Sequence, residues 1–159
     1  MKFYNSLLRF QQGSVSVSFP ILCFLFFTLS ACQHKIATSA LPKNQIVFGG
    51  GGGFTGASYE YSLLQDGRLV AIQRDSATQK VIKNIGKKKA ASLYAAVDSM
   101  RLNTWLYNVP GNIYHFIILK QDGKKDNKIV WDGSGNDKSI PELAEGFYKK
   151  LMAEVPKKK

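Results

Sequence analysis

The chain is 159 residues long, room for one domain and hardly two, and 45% of its residues are hydrophobic, enough for a packed core. Its formal net charge is +11. Its only cysteines are Cys23 and Cys32, so beyond residue 32 the chain has neither a disulfide nor a thiolate to use.

The first 31 residues carry Lys2 and Arg9 and no acid. A dense apolar run, Phe19 to Leu29, follows. A membrane-spanning helix needs about 20 apolar residues, so this run is too short to stay across a bilayer. A basic start, a short apolar stretch and then small residues make a secretory signal. The tetrapeptide Leu29-Ser30-Ala31-Cys32 resembles a lipobox, the recognition site of lipoprotein signal peptidase. That resemblance implies cleavage before Cys32, a thioether lipid on its sulfur and acylation of the new terminus. Two or three acyl chains, at about 0.8 kcal/mol per buried CH₂, hold firmly where one is marginal. Gln33 rather than Asp follows the cysteine and no acidic run comes after it, which favours an outer-membrane lipoprotein facing the periplasm. Residues 1–31 are thus expected to be a signal peptide. Residues 32–44, polar and small with Pro42, are expected to be a flexible tether.

A domain is expected over 45–156, with a basic tail at 157–159. Ile46-Val47-Phe48 is a short strand, and five glycines, Gly49 to Gly53, follow it. From Phe54 to Leu64, Tyr59, Tyr61 and Leu63 alternate with Ser58, Glu60 and Ser62, a strand period. Asp66-Gly67 turns that strand into a return over Leu69 to Arg74, because Asp-Gly tolerates the positive φ of a tight turn. Val81-Ile82 adds a short strand. Lys87 to Leu102 places Ala90, Leu93, Val97 and Met100 on one helical stripe. Asn103 to Gly111 is a closing loop, Ile113 to Lys120 a central strand, and Lys128 to Asp132 its return after Asp122-Gly123. Ser139-Ile140-Pro141-Glu142 reads as a capping box, leading an apolar stripe of Ile140, Leu143, Phe147, Leu151 and Val155. The order strands–helix–strands–helix implies an α+β fold, a single two-layer domain with both helices on one face of an antiparallel sheet.

The positive charge clusters at Lys87-Lys88-Lys89, Lys124-Lys125, Lys149-Lys150 and Lys157-Lys158-Lys159. These read as solvated helix faces and a frayed tail, or as a helper surface holding the domain near an anionic bilayer. Nucleic acid is a poor partner for an exported lipoprotein. Beyond the leader only Arg68, Arg74 and Arg101 offer the planar guanidinium fork, which argues against dedicated phosphate recognition.

Gly51-x-Gly53-x-x-Gly56 formally matches a dinucleotide fingerprint, but that fingerprint needs a following helix, and a strand follows here. A kinase-type loop fails because Gln73 stands where the phosphate-binding Lys belongs. No nucleotide or other cofactor is expected. The remaining reading is steric: Gly51, Gly52, Gly53, Phe54, Thr55 and Gly56 form either a bulge or wide turn without a partner, or a collar that another protein approaches closely. His34 and His115 have no second His or Cys to complete a zinc set, and Asp122, Asp126, Asp132 and Asp137 lack EF-hand spacing, so no metal is expected. No Ser has an obvious His–acid pair, and no catalytic residue is assigned. Trp131 belongs to the core. Trp105 and Tyr107 are either a contact surface or a lid on the core.

The element Gly51-Gly52-Gly53-Phe54-Thr55-Gly56 after a short strand resembles the Ser-Gly-Gly-Phe-Ala-Gly start of emfourin-type proteins, small inhibitors of thermolysin-like metalloproteases. Trp105-Leu106-Tyr107-Asn108-Val109-Pro110, the strand Tyr114 to Leu119 and Val130-Trp131-Asp132 follow in the family's order. The resemblance spans about Ile46 to Val155, and this chain departs from the pattern in its lipid anchor and its longer hairpin at Gln65 to Ile85. It also resembles lipoproteins of Bacteroidota-like bacteria that share Phe-Gly-x-Gly-Gly-Phe-Thr-Gly. The resemblance implies a protein partner such as a metalloprotease, with the glycine collar and Phe54 near the protease-facing edge. The expected function is therefore a lipid-anchored, protein-binding, protease-inhibitor-like module. The alternatives are an envelope structural or assembly lipoprotein and a hydrolase with an unrecognised site. Labelled palmitate fed to the producing cells is expected to enter the protein and to be lost with Cys32→Ala; incorporation that survives the substitution defeats the anchor.

Overall fold

The structure, a computed structural model, describes residues 35–74, 76–135 and 142–157. The described residues belong to one compact unit. Residues 1–31, where a signal peptide is expected, Cys32, His34, Asp137, Ser139-Ile140-Pro141 of the expected capping box and the last two lysines lie outside the described residues. Among the described residues no helix is long and apolar enough to cross a membrane.

An eight-stranded sheet runs in the order β1-β5-β4-β3-β2-β7-β8-β6. Its strands are β1 (Lys35–Ala37), β2 (Gln45–Gly52), β3 (Ser58–Leu64), β4 (Arg68–Ala71), β5 (Thr78–Asn84), β6 (Tyr107–Asn108), β7 (Ile113–Lys120) and β8 (Asn127–Asp132). All pairings are antiparallel except β6 with β8, which is parallel. Two helices, α1 (Lys87–Ser99) and α2 (Glu142–Met152), complete the α+β domain. Both pack on the same sheet face. One core joins Ala90 and Val97 of α1, and Phe147, Tyr148 and Leu151 of α2, to Phe48, Leu63, Leu69, Ile117, Ile129 and Trp131 of the strands. Each large side chain buried there contributes about 1.5–3 kcal/mol. The expected two-layer arrangement is the one found.

Three sequence expectations are corrected. The segment 32–44 is not a free tether throughout. Lys35–Ala37 pairs with Thr78–Lys80 of β5, a turn of 3-10 helix follows over Thr38–Ala40, and Ile36 joins a small apolar cluster with Leu64 and Val70. Polar composition hid a three-residue strand stabilised by its neighbour. The loop expected over Asn103 to Gly111 contains β6, whose partner Ile129-Val130 is remote in sequence. On α2 the buried stripe is Ala144, Phe147, Tyr148 and Leu151, and Leu143 faces solvent.

The two Asp-Gly hairpin sites behave as their residues dictate. Gly67 and Gly123 both have positive φ, and the Asp66 carboxylate accepts the Arg68 backbone N–H at 3.0 Å. Helix α1 is pinned to the sheet by Tyr94, whose hydroxyl donates to the Leu63 carbonyl at 2.8 Å; burial pushes that phenol well above its ordinary value. Beyond α2, the Glu154 carboxylate joins three elements, meeting Lys83 of β5 at 3.0 Å and Lys89 of α1. The hydrogen bond from Lys89, reinforced by Lys83, holds this carboxyl below its usual value of 4.5. A carboxyl depressed by folding adds stability that is fully present above its unfolded value and is lost as pH falls through the folded one. Thermal midpoints are therefore expected to drop on acidification below about pH 4.5, and to drop less steeply in Glu154→Gln. Identical pH dependence in the two proteins contradicts the clamp.

Candidate functional site

Four of the five consecutive glycines are strand residues and not part of a collar. They lie inside β2, the strand flanked by β3 and β7. Gly49, Gly50 and Gly51 are buried and register opposite Glu60, Tyr59 and Ser58 on one side, and Phe116, His115 and Tyr114 on the other. The missing side chains are replaced by rings from neighbouring strands. A Cβ at Gly50 would stand 2.7 Å from the Tyr59 hydroxyl and 3.0 Å from His115 Cδ2. A Cβ at Gly51 would meet the Tyr114 hydroxyl at 2.9 Å, and one at Gly49 would meet Phe116 Cζ at 2.9 Å. Glycine weakens a strand through its lost entropy and its missing side chain, and aromatic rings laid across it restore the packing.

On the helix-bearing face the register makes one row: Tyr59, Gly50, His115 and Trp131. Tyr148 of α2 lies over it. Its ring stacks on His115 with centroids 4.5 Å apart and meets Trp131 edge-on at 5.4 Å. Its hydroxyl is 3.0 Å from that of Tyr59. Burial, then the hydrogen bond with Tyr59, hold the Tyr148 phenol well above its ordinary value, so it stays protonated. Trp131 donates its indole N–H to Glu145 at 2.8 Å. The same carboxylate lies 3.9 Å from His115 Nδ1, a buried nitrogen without a hydrogen-bond partner among the described residues. Sequence reasoning placed His115 and Trp131 singly and missed Tyr59, Glu145 and Tyr148, because residues from three strands and a helix converge only in the fold. Among the described residues no three His, Cys, Asp or Glu side chains converge to hold a metal ion.

Beyond the aromatic row, β2 ends in a turn. Gly52 and Gly53 both take positive φ, 95° and 75°, which side chains resist. Gly53 N–H donates to the Asn112 carbonyl at 2.7 Å, Gly52 N–H to Ala57 at 3.2 Å and Gly56 N–H to Gly53 at 3.1 Å. Thr55 Oγ1 accepts the Ala57 N–H at 3.4 Å. Phe54 stands fully exposed on this tied turn. Other exposed apolar residues share that end of the sheet. Ile113, 46% exposed, registers opposite Gly52. Val109, 53% exposed, donates its N–H to Val130 at 3.0 Å beside the end of β8. Leu143 opens α2, two residues before the Glu145 that meets Trp131.

The remaining sequence candidates divide. Gly51 and Gly52 end β2, and Gly53, Phe54, Thr55 and Gly56 belong to the turn beyond it. Trp105 and Tyr107 are half-buried and pack against the main core, Tyr107 as part of β6, so they serve as its lid. Between them Leu106 is 94% exposed.

Gly50→Ala is expected to lower stability by about 1–3 kcal/mol in urea unfolding, because the methyl enters the space of Tyr59 and His115. Gly50→Ala as stable as the parent would mean the rings do not depend on the bare strand. No protein-family model matches this chain, and no curated protein matches it.

Proposed function

We propose that this protein is a lipid-anchored envelope lipoprotein whose α+β domain binds another protein through the turn 52–56, with Phe54 as the inserted side chain. The observation that carries the reading is the full exposure of Phe54 on a turn tied by backbone hydrogen bonds to the middle of the sheet. A large apolar side chain held rigidly in water gains free energy when a partner covers it, and a turn already in its bound shape loses little entropy on association. Ile113, which registers opposite Gly52, adds a second exposed apolar side chain beside such an anchor. A narrow turn with one aromatic tip suits a cleft, and the resemblance to emfourin-type inhibitors makes a thermolysin-like metalloprotease the first partner to test. An envelope structural or assembly role is the second reading, favoured by the exposed lysines of α1.

The purified protein is expected to inhibit a member of a thermolysin-type panel. Phe54→Ala is expected to weaken that inhibition by about 2 kcal/mol or more, roughly thirtyfold, while leaving the unfolding midpoint unchanged, since Phe54 packs on nothing. The proposal fails if every enzyme runs uninhibited in excess protein and envelope extracts yield no partner whose capture depends on Phe54.

A further inference from the structure

The end of the sheet opposite Phe54 has a different chemistry. β2 rises from Gln45 to Gly52, so its eight residues separate the two ends by about 25 Å. At the lower end β5 finishes at Asn84, whose side chain accepts the Gly86 N–H at 2.8 Å, and α1 begins with Lys87-Lys88-Lys89, all exposed. Lys83 and Lys89 converge on Glu154, one acid for two cations. Lys157, also exposed, lies three residues beyond that acid. At the edge of the sheet Lys35 of β1 registers directly opposite Lys80 of β5, like charges side by side. Lys35, Lys80, Lys87 and Lys88 form no ion pair among the described residues.

Lys89 apart, these lysines do not serve the fold. Like charges opposite one another weaken a strand pair. Lysines in the first turn of a helix oppose its dipole, and α1 has no acid there, whereas α2 follows the favourable rule with Glu142 and Glu145 first and Lys149 and Lys150 last. Asp132, Glu142 and Glu145 lie toward the other end, whereas Asp66 and Asp122, in turns at the lysine-rich end, are each engaged by a cation, Arg68 at 2.7 Å and Lys43 at 3.0 Å.

β1 runs antiparallel to β5 and begins on the Lys83 side of their pairing. Only Gln33 and His34 separate Lys35 from Cys32, and three peptide units span at most about 11 Å. We infer that the face formed by Lys35, Lys80, Lys83, Lys87, Lys88 and Lys89 rests on anionic phospholipid headgroups of the leaflet that holds the anchor, so that Phe54 is presented at the membrane-distal end. The inference rests on the proposed lipidation of Cys32. Juxtamembrane lysines each add about fivefold to binding of an anionic bilayer, and acyl chains hold them within a Debye length of it.

The test uses the full chain isolated from membranes and reconstituted into vesicles of phosphatidylcholine alone or mixed with phosphatidylglycerol. A water-soluble amine reagent labels the lysines, and mass spectrometry reads each one against Lys128, which lies on the far side of the sheet in β8. Lys35, Lys80, Lys87 and Lys88 are expected to be shielded only in the anionic vesicles and to be released by high salt. In the double variant Lys87→Glu, Lys88→Glu, whose sites are exposed and leave the fold intact, Lys35 and Lys80 should regain their reactivity. Equal labelling in both vesicle types, shielding in phosphatidylcholine alone, or shielding that survives the double variant overturns the inference. The N-terminal peptide reports the anchor separately through its acyl mass. If that peptide carries none, the inference still requires the protein to float with the anionic vesicles at low salt and not with the zwitterionic ones, and failure to do so overturns it.

Discussion

The structure turns on a strand without side chains. Over Gly49, Gly50 and Gly51 the middle of the sheet is bare backbone on both faces, and a bare strand between two others would leave voids that folded proteins do not tolerate. Rings fill them: Tyr59 and His115 over Gly50, Phe116 against Gly49, Tyr114 against Gly51. Because Gly50 keeps the helix-bearing face low, α2 can settle until Tyr148 stacks on His115 and its hydroxyl reaches Tyr59. Glu145 then falls within reach of the Trp131 indole. One absence of side chains thus sets the seat of a helix.

The same glycine run also ends the strand. Gly52 and Gly53 leave the β region for positive φ, and the chain reverses under hydrogen bonds to Asn112 and Ala57. Packing and display are therefore coupled through one segment. Rings clamp its first half into the sheet, and its second half holds Phe54 in solvent. At the opposite end α1 opens with lysines that its helix dipole does not favour.

Much of the architecture was legible along the chain. Period-two alternation over Ser58 to Leu64, the Asp-Gly turns, and the helical spacing of Ala90, Leu93, Val97 and Met100 each report a local preference that the fold keeps. What escaped shares one cause. A run of glycines has no alternation, so nothing in it announces a strand, and β2 extends through it only because β3 and β7 pair with it on both sides. β1 and β6 are three and two residues long and exist because β5 and β8 offer them an edge. The aromatic site was illegible for the same reason: Tyr59, His115, Trp131, Glu145 and Tyr148 span 89 positions between the two hydroxyls that meet.

By itself the sequence determined the class of fold, the order of its longer elements and the likeness of Leu29-Ser30-Ala31-Cys32 to a lipid-attachment site, since each of these is written in neighbouring residues. Tertiary structure alone decided that the glycines are a clamped central strand, that Leu143 faces water, and that Trp105 and Tyr107 close the core while Phe54 leaves it. Local sequence encodes backbone preference and amphipathic period. Which face a residue shows, and which distant ring covers a missing side chain, is settled by strand register and by the volume that must be filled.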